Sequence, residues 1–287
     1  MARSSCPHCV MVATCLTIKI GNESAERGEF LQKGDTPPLV TWADVPAALG
    51  LLTRLPIRVD TDAAMERGAA SAWAYPIVGI CIAFITWMFA SLFLWLGLPP
   101  LVIATFCLII PVVLTGAMHE DGLADCADGL WGGWTKDRRL EIMKDSRIGA
   151  YGVLALVFSV MLRFGAVLGV LSTEVFWPAL IVAATVSRTN MVVLMTFLPH
   201  AREGGLSQSV GRPSQSTMLV GCGVAIFVTL FFAGWATPFI LVAAALSAFA
   251  CAAIAKVKIG GQTGDVLGAT QLVTEIVILI CFATIAV

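Results

Sequence analysis

Charged side chains are scarce: Asp, Glu, Lys and Arg make up 13% of the 287 residues, about half the share found in soluble domains. Apolar residues stand in their place at 58%, which excludes an ordinary soluble globular domain. Basic excess is missing too. With 18 Lys and Arg against 19 Asp and Glu, a net charge of -1, the chain has no electrostatic footprint for nucleic acid. Ten-residue segments of alternating hydrophobicity are absent, which excludes a transmembrane barrel and leaves helices to satisfy their own backbone in lipid. Neither a fixed-period repeat nor a low-complexity tract is present. The nine cysteines are scattered, several inside apolar runs, so no disulfide framework is expected.

What the chain does have is long apolar runs. Seven are long enough to cross a bilayer, at about 70–98, 100–118, 151–171, 176–198, 217–235, 239–255 and 266–287. An eighth, 43–55, is short and carries Asp44 and Arg54, which reads as an interfacial or re-entrant helix. The expected fold is an all-α polytopic bundle of about seven transmembrane helices, with residues 41–287 as one membrane-embedded catalytic domain. Residues 1–40, polar from 21 to 38 and ending in Pro37-Pro38, read as a poorly ordered extension. Cys6-Pro7-His8-Cys9 lacks the second ligand pair of a zinc site, and the apolar stretch 10–18 matches a signal sequence only loosely, without a cleavage site.

Basic residues alternate between loops. Arg54, Arg58 and Arg67 fall on one side, followed there by Lys136, Arg138, Arg139, Lys144 and Arg147, then Arg202 and Arg212, then Lys256 and Lys258; the intervening loops have none. By the excess of Lys and Arg in cytoplasmic loops, this side is cytoplasmic. The segment "HEDGLADCADGLWGG", from His119 to Gly133, opens the longest loop on that side and gathers Glu120, Asp121, Asp125 and Asp128 within nine residues.

Spacing gives that cluster its chemistry. Asp121, Asp125 and Asp128 stand at i, i+4 and i+7, one face of a helix, where three carboxylates repel one another until protons or a metal neutralise them. A hard divalent cation is the complement, above all Mg²⁺, which takes one or two carboxylates and fills its other positions with water and substrate phosphate. Arg138, Lys144 and Arg147 follow in the same loop, so an acidic pole and a basic pole adjoin, as a pyrophosphate substrate requires. The plainer readings are a solvated acidic face and ordinary loop topology. Two arginines lie inside spans, Arg163 and Arg188, the latter in Ser187-Arg188-Thr189-Asn190; each needs a partner in lipid, and Glu275 of the last span is available. Gly261 and Gly264 with Asp265, at the mouth of the last helix, read either as an anion nest or as a capped Gly-rich turn.

The stretches "GAMHEDGLADCADGLWGG", "RRLEIMKDSRIGAYGVLALV", "LGLLTRLPI" with "AYPIVG", and "GGQTGDVLGA" resemble the cobalamin synthase family, the adenosylcobinamide-GDP ribazoletransferases, from about residue 43 to the C-terminus. That resemblance implies an Mg²⁺-dependent transfer of adenosylcobinamide phosphate from adenosylcobinamide-GDP to α-ribazole or its 5′-phosphate, with GMP released, in the inner membrane of a prokaryote. Neighbouring enzymes of nucleotide-loop assembly are candidate partners, and an oligomer is compatible with it. The family's acidic motif falls on Glu120, Asp121, Asp125 and Asp128 as metal ligands, with Asp128 or His119 as general base. Arg138, Lys144, Asp145, Arg147, Arg188, Asn190, Gly261, Gly264 and Asp265 become substrate-binding candidates. Two alternatives stand beside it: a CDP-alcohol phosphotransferase-like enzyme, whose D-G-x-x-A-R pattern is not matched after Asp121, and a divalent-cation or solute transporter using Arg163, Arg188 and Glu275.

Overall fold

The computed structural model describes residues 38–286; the readings of the first 37 residues lie outside them. Residues Leu39–Val287 form one compact unit. A short helix α1 (Asp44–Leu52) leads to α2 (Thr61–Arg67) and, through a 3-10 turn, to α3 (Tyr75–Trp95). Then come α4 (Pro100–Thr115), α5 (Met118–Gly132), α6 (Lys136–Ile142), α7 (Ala150–Val170) and α8 (Phe176–Phe197). The chain closes with α9 (Leu206–Val210), α10 (Gln215–Ala233), α11 (Thr237–Ile259) and α12 (Gly264–Ile285). No strand occurs among the described residues.

Five helical stretches are long and apolar enough to cross a membrane, or six counting one bent pair. The stretch Gln215–Ile259 has 45 residues, about twice the length of a span; it breaks at Gly234, where φ is +51°, into α10 and α11. Each of the seven expected runs thus carries a helix, and the all-α polytopic bundle is the observed architecture. Helix α8 is its axis, with 89% of its most apolar window buried against 28% for α7, as befits a helix that is apolar all round. Two apolar clusters lie along α8, one containing Ala179 and Val182 and the other Val192 and Met195. Between them stands the polar stretch from Ser187 to Asn190.

The acidic segment departs from expectation. Instead of a loop, residues 118–132 form the helix α5, bent 90° from α4 and packed against α7 and α12. Gly116 and Ala117 adopt left-handed conformations in succession, with φ of +65° and +58°. The first is cheap for glycine; the second costs an L-residue about 1–2 kcal/mol. Because Gly116 and Ala117 are themselves apolar, the sequence reads straight through the elbow.

Asp44 anchors the start of the unit. Its buried carboxylate accepts from Arg67 Nε at 2.8 Å and Nη2 at 2.7 Å, from Trp73 Nε1 at 2.7 Å and from Thr41 N at 2.9 Å. Burial alone would push this carboxyl up, and the hydrogen bonds from Arg67, Trp73 and Thr41 outweigh it, holding it at about 2.

Candidate active site

Helix α5 distributes its acids among three directions, because residues 100° apart on a helix meet different neighbours. Glu120 points into the bundle, where its Oε1 accepts from Arg163 Nη1 at 3.0 Å. Glu275 stands behind that pair, 3.8 Å from Arg163 Nη1 and 4.0 Å from Arg188 Nη1, and accepts from Gln271 Nε2 at 2.6 Å. Both intramembrane arginines are therefore partnered, and α5, α7, α8 and α12 are joined by one polar network. His119 is buried in the same region, with neither ring nitrogen hydrogen-bonded to protein.

Asp128 points the other way, onto α7. Its Oδ2 accepts from Gly149 N at 2.7 Å and its Oδ1 from Gly152 N at 2.9 Å, so it caps the α7 N-terminus from a neighbouring helix. A Cβ on Gly149 or Gly152 would overlap that carboxylate, which explains why both positions are glycine. The expectation that Asp128 shares the open metal-binding face therefore changes: helical phase carried it toward Asp121 and Asp125, but the free amides of α7 captured both oxygens.

Asp121 and Asp125 remain, and among the described residues neither side chain has a hydrogen bond or ion pair. They line an open hollow of about 310 Å³ whose facing wall holds Lys144, Asp145, Ser146 and Arg147. Arg147 Nη2 pairs with Asp145 Oδ2 at 2.7 Å and holds that carboxyl below its ordinary range. Lys144 is exposed and has no partner among the described residues. Arg138 turns away to Glu141, at 2.7 Å, in a neighbouring hollow.

The start of α12 abuts α5 close to these acids. A Cβ on Gly122 would lie 2.8 Å from the Asp265 carbonyl oxygen, so the backbones of α5 and α12 touch there and Asp265 stands beside the α5 acids. Its Oδ2 accepts from Thr263 Oγ1 at 3.1 Å and from Arg202 Nη2 at 3.3 Å, while Arg202 Nη1 has no partner. Sequence reading credited Arg202 with loop topology alone; the glycine pair after it, Gly204-Gly205, was the available hint. The cap of α12 is Thr263, which accepts from Val266 N, and not Asp265. Gly261 packs on the Pro199 carbonyl, and Gln262 is tied to Pro199 and Ala201 by two backbone hydrogen bonds, so this turn offers few free amides. Of the glycines in this turn, Gly264 alone would have open space at an added Cβ.

Arg188 and Asn190, expected at substrate, do not reach the hollow. Arg188 is 1% exposed and donates to Ala184 O at 3.0 Å; Asn190 Nδ2 donates to Ala244 O at 2.9 Å and Thr274 Oγ1 at 3.2 Å. Their polarity serves contacts between helices. Among the described residues no three His, Cys, Asp or Glu side chains converge into a ready-made metal cage. The donors that fit a cation are the free oxygens of Asp121 and Asp125, a hard set of the size that Mg²⁺ uses when phosphate and water complete its shell.

This pairing of acidic helix and basic wall coincides with a sequence match along nearly the whole unit: residues 44–283 fit the profile of the family described as cobalamin-5-phosphate synthase. The chain belongs to that family. Curated relatives agree across similar lengths. A protein of Bradyrhizobium diazoefficiens is 38% identical over 242 residues, 84% of this chain and 93% of its own. One of Azorhizobium caulinodans is 42% identical over 252 residues, 83% of this chain and 94% of its own. One of Allorhizobium ampelinum is 39% identical over 250 residues, 84% and 96% respectively. Each is named adenosylcobinamide-GDP ribazoletransferase. No solved structure matches the chain. Membership makes this member of the family a transferase of cobalamin synthesis, and its apolar helices make it a multi-pass membrane protein.

Proposed function

We propose that the chain transfers the adenosylcobinamide phosphoryl group of adenosylcobinamide-GDP to α-ribazole or its 5′-phosphate, forming adenosylcobalamin or its 5′-phosphate and releasing GMP. The observation that carries this reading is the hollow in which two unpartnered carboxylates, Asp121 and Asp125, face Lys144 and Arg147. Asp121 and Asp125, with Asp265 beside them, would hold Mg²⁺, which when bound would neutralise the pyrophosphate and make GMP a better leaving group. Lys144 and Arg147 meet the phosphate oxygens, and Asp145 keeps Arg147 oriented until substrate arrives. The acceptor's ribose hydroxyl forms the new P–O bond as the bond to GMP breaks, and gives up one proton. Asp128 is engaged by two amides and His119 is closed off from solvent, so the proton passes to water in the open hollow or to whichever of its carboxylates does not hold the cation. The one-sided distribution of Lys and Arg supports a cytoplasmic hollow in an inner membrane.

The transporter alternative lacks a path. Arg163, Arg188 and Glu275 close around a cavity of about 30 Å³, room for a single water. Protein purified in detergent and given Mg²⁺, adenosylcobinamide-GDP and α-ribazole 5′-phosphate is expected to release GMP, and EDTA to stop it. GMP no higher than with heat-killed protein would overturn the reading.

A further inference from the structure

The face of α5 opposite Asp121 and Asp125 borders a second and larger cavity, of about 690 Å³. Four helices each give it one stripe: Leu123, Ala127 and Leu130 on α5, Leu154 and Phe158 on α7, Cys251 and Ile254 on α11, and Val266 to Val277 on α12. No Asp, Glu, Lys or Arg lines it. Its α12 wall spans eleven residue steps, about 17 Å, close to one leaflet of a bilayer core about 30 Å thick. One end is marked by Trp131 and Tyr151, aromatic side chains of the kind that sit at the membrane–water boundary.

That same end is basic. Lys258 follows Ile254 by one turn on the α11 stripe; its Nζ lies 5.3 Å over the Trp131 ring and donates to Leu130 O at 3.0 Å. Arg139 Nη1 donates to Lys258 O at 2.9 Å, and Lys136 Nζ would lie 3.4 Å from a Cβ placed on Gly260. Lys258 therefore stands at the Trp131 end of an apolar slot about one leaflet deep, with Arg139 and Lys136 close to the backbone around it. An aromatic base of a nucleoside would find almost no hydrogen-bond partner inside, since Ser247 is the one hydroxyl besides Tyr151, and the α5 acids lie on the far side of the helix.

We propose that this cleft binds one anionic phospholipid of the surrounding bilayer, with an acyl chain along α5, α7, α11 and α12 and the phosphate at Lys258. The bound chain fills the space behind α5 and so supports the helix that carries Asp121 and Asp125. The site goes beyond the transfer reaction and stands or falls separately from it.

Its test uses the full-length protein in mild detergent, titrated with phosphatidylglycerol or phosphatidylcholine brominated on the acyl chains. Quenching of Trp131 is read as the difference from Trp131→Phe. Phosphatidylglycerol is expected to quench at about fivefold lower mole fraction, the factor expected of one lysine near an anionic headgroup; Lys258→Gln should remove that preference, and Ala250→Phe, which fills the slot, should reduce quenching by both lipids. Equal quenching by the two lipids in the wild-type protein, or no quenching of Trp131 by either, overturns the proposal without reliance on any other variant's folding.

Discussion

At the scale of single residues, the α5 acids separate by what already satisfies them. Asp125 has free oxygens, so Asp125→Asn is expected to lower turnover at least a hundredfold with expression and thermal stability unchanged, measured as GMP release beside a melting curve in detergent. Asp128 is spent on the α7 amides, so Asp128→Ala is expected to lower stability by about 1–2 kcal/mol, with a matching fall in melting temperature. Asp44 predicts an acid limit. Its folded-state carboxyl titrates at about 2, below the ordinary 3.8. Its contribution, about 2 kcal/mol, is complete above about pH 5, declines as pH falls through 3.8 and then about 2, and is gone by about pH 1; Asp44→Asn should flatten that part of the stability curve. The sequence placed Asp121, Asp125 and Asp128 on one helical face; Asp121 and Asp125 do share the open hollow, while Asp128 is turned onto α7. It could not show that Asp128 meets the start of a helix twenty residues later, because such a capture depends on tertiary packing.

At the scale of elements, the elbow between α4 and α5 positions the site. Ala117 holds φ at +58°, so Ala117→Gly should raise stability by about 1 kcal/mol, while Gly116→Ala should lower it by at least as much; paired unfolding curves read the opposite signs. The spans were legible because seven apolar runs reach or come close to the length a bilayer needs, and length is the strongest signal such runs carry. The elbow was not legible, since apolarity continues through Thr115-Gly116-Ala117-Met118 and hides a change of direction. Arg202 was missed for a related reason: its partner Asp265 lies 63 residues away.

At the scale of the molecule, the polar network of Glu120, Arg163, Arg188 and Glu275 joins the acidic helix to the bundle through four helices. Arg163→Leu leaves Glu120 without its partner away from water, a loss of about 3–5 kcal/mol for buried pairs, and is expected to release α5 as well as destabilise the fold. Protection of the α5 amides from hydrogen exchange should fall further than that of α8. The elbow sets an order of assembly too. Helix α4 has 16 residues, short of the ~20 that span a bilayer, and α5 carries too many carboxylates to enter lipid alone. Neither half can be handed to the membrane as a finished span during synthesis. The acidic helix finds partners for its buried polar groups only in α7 and α12, so a site encoded before the middle of the chain depends on a helix synthesised long after it.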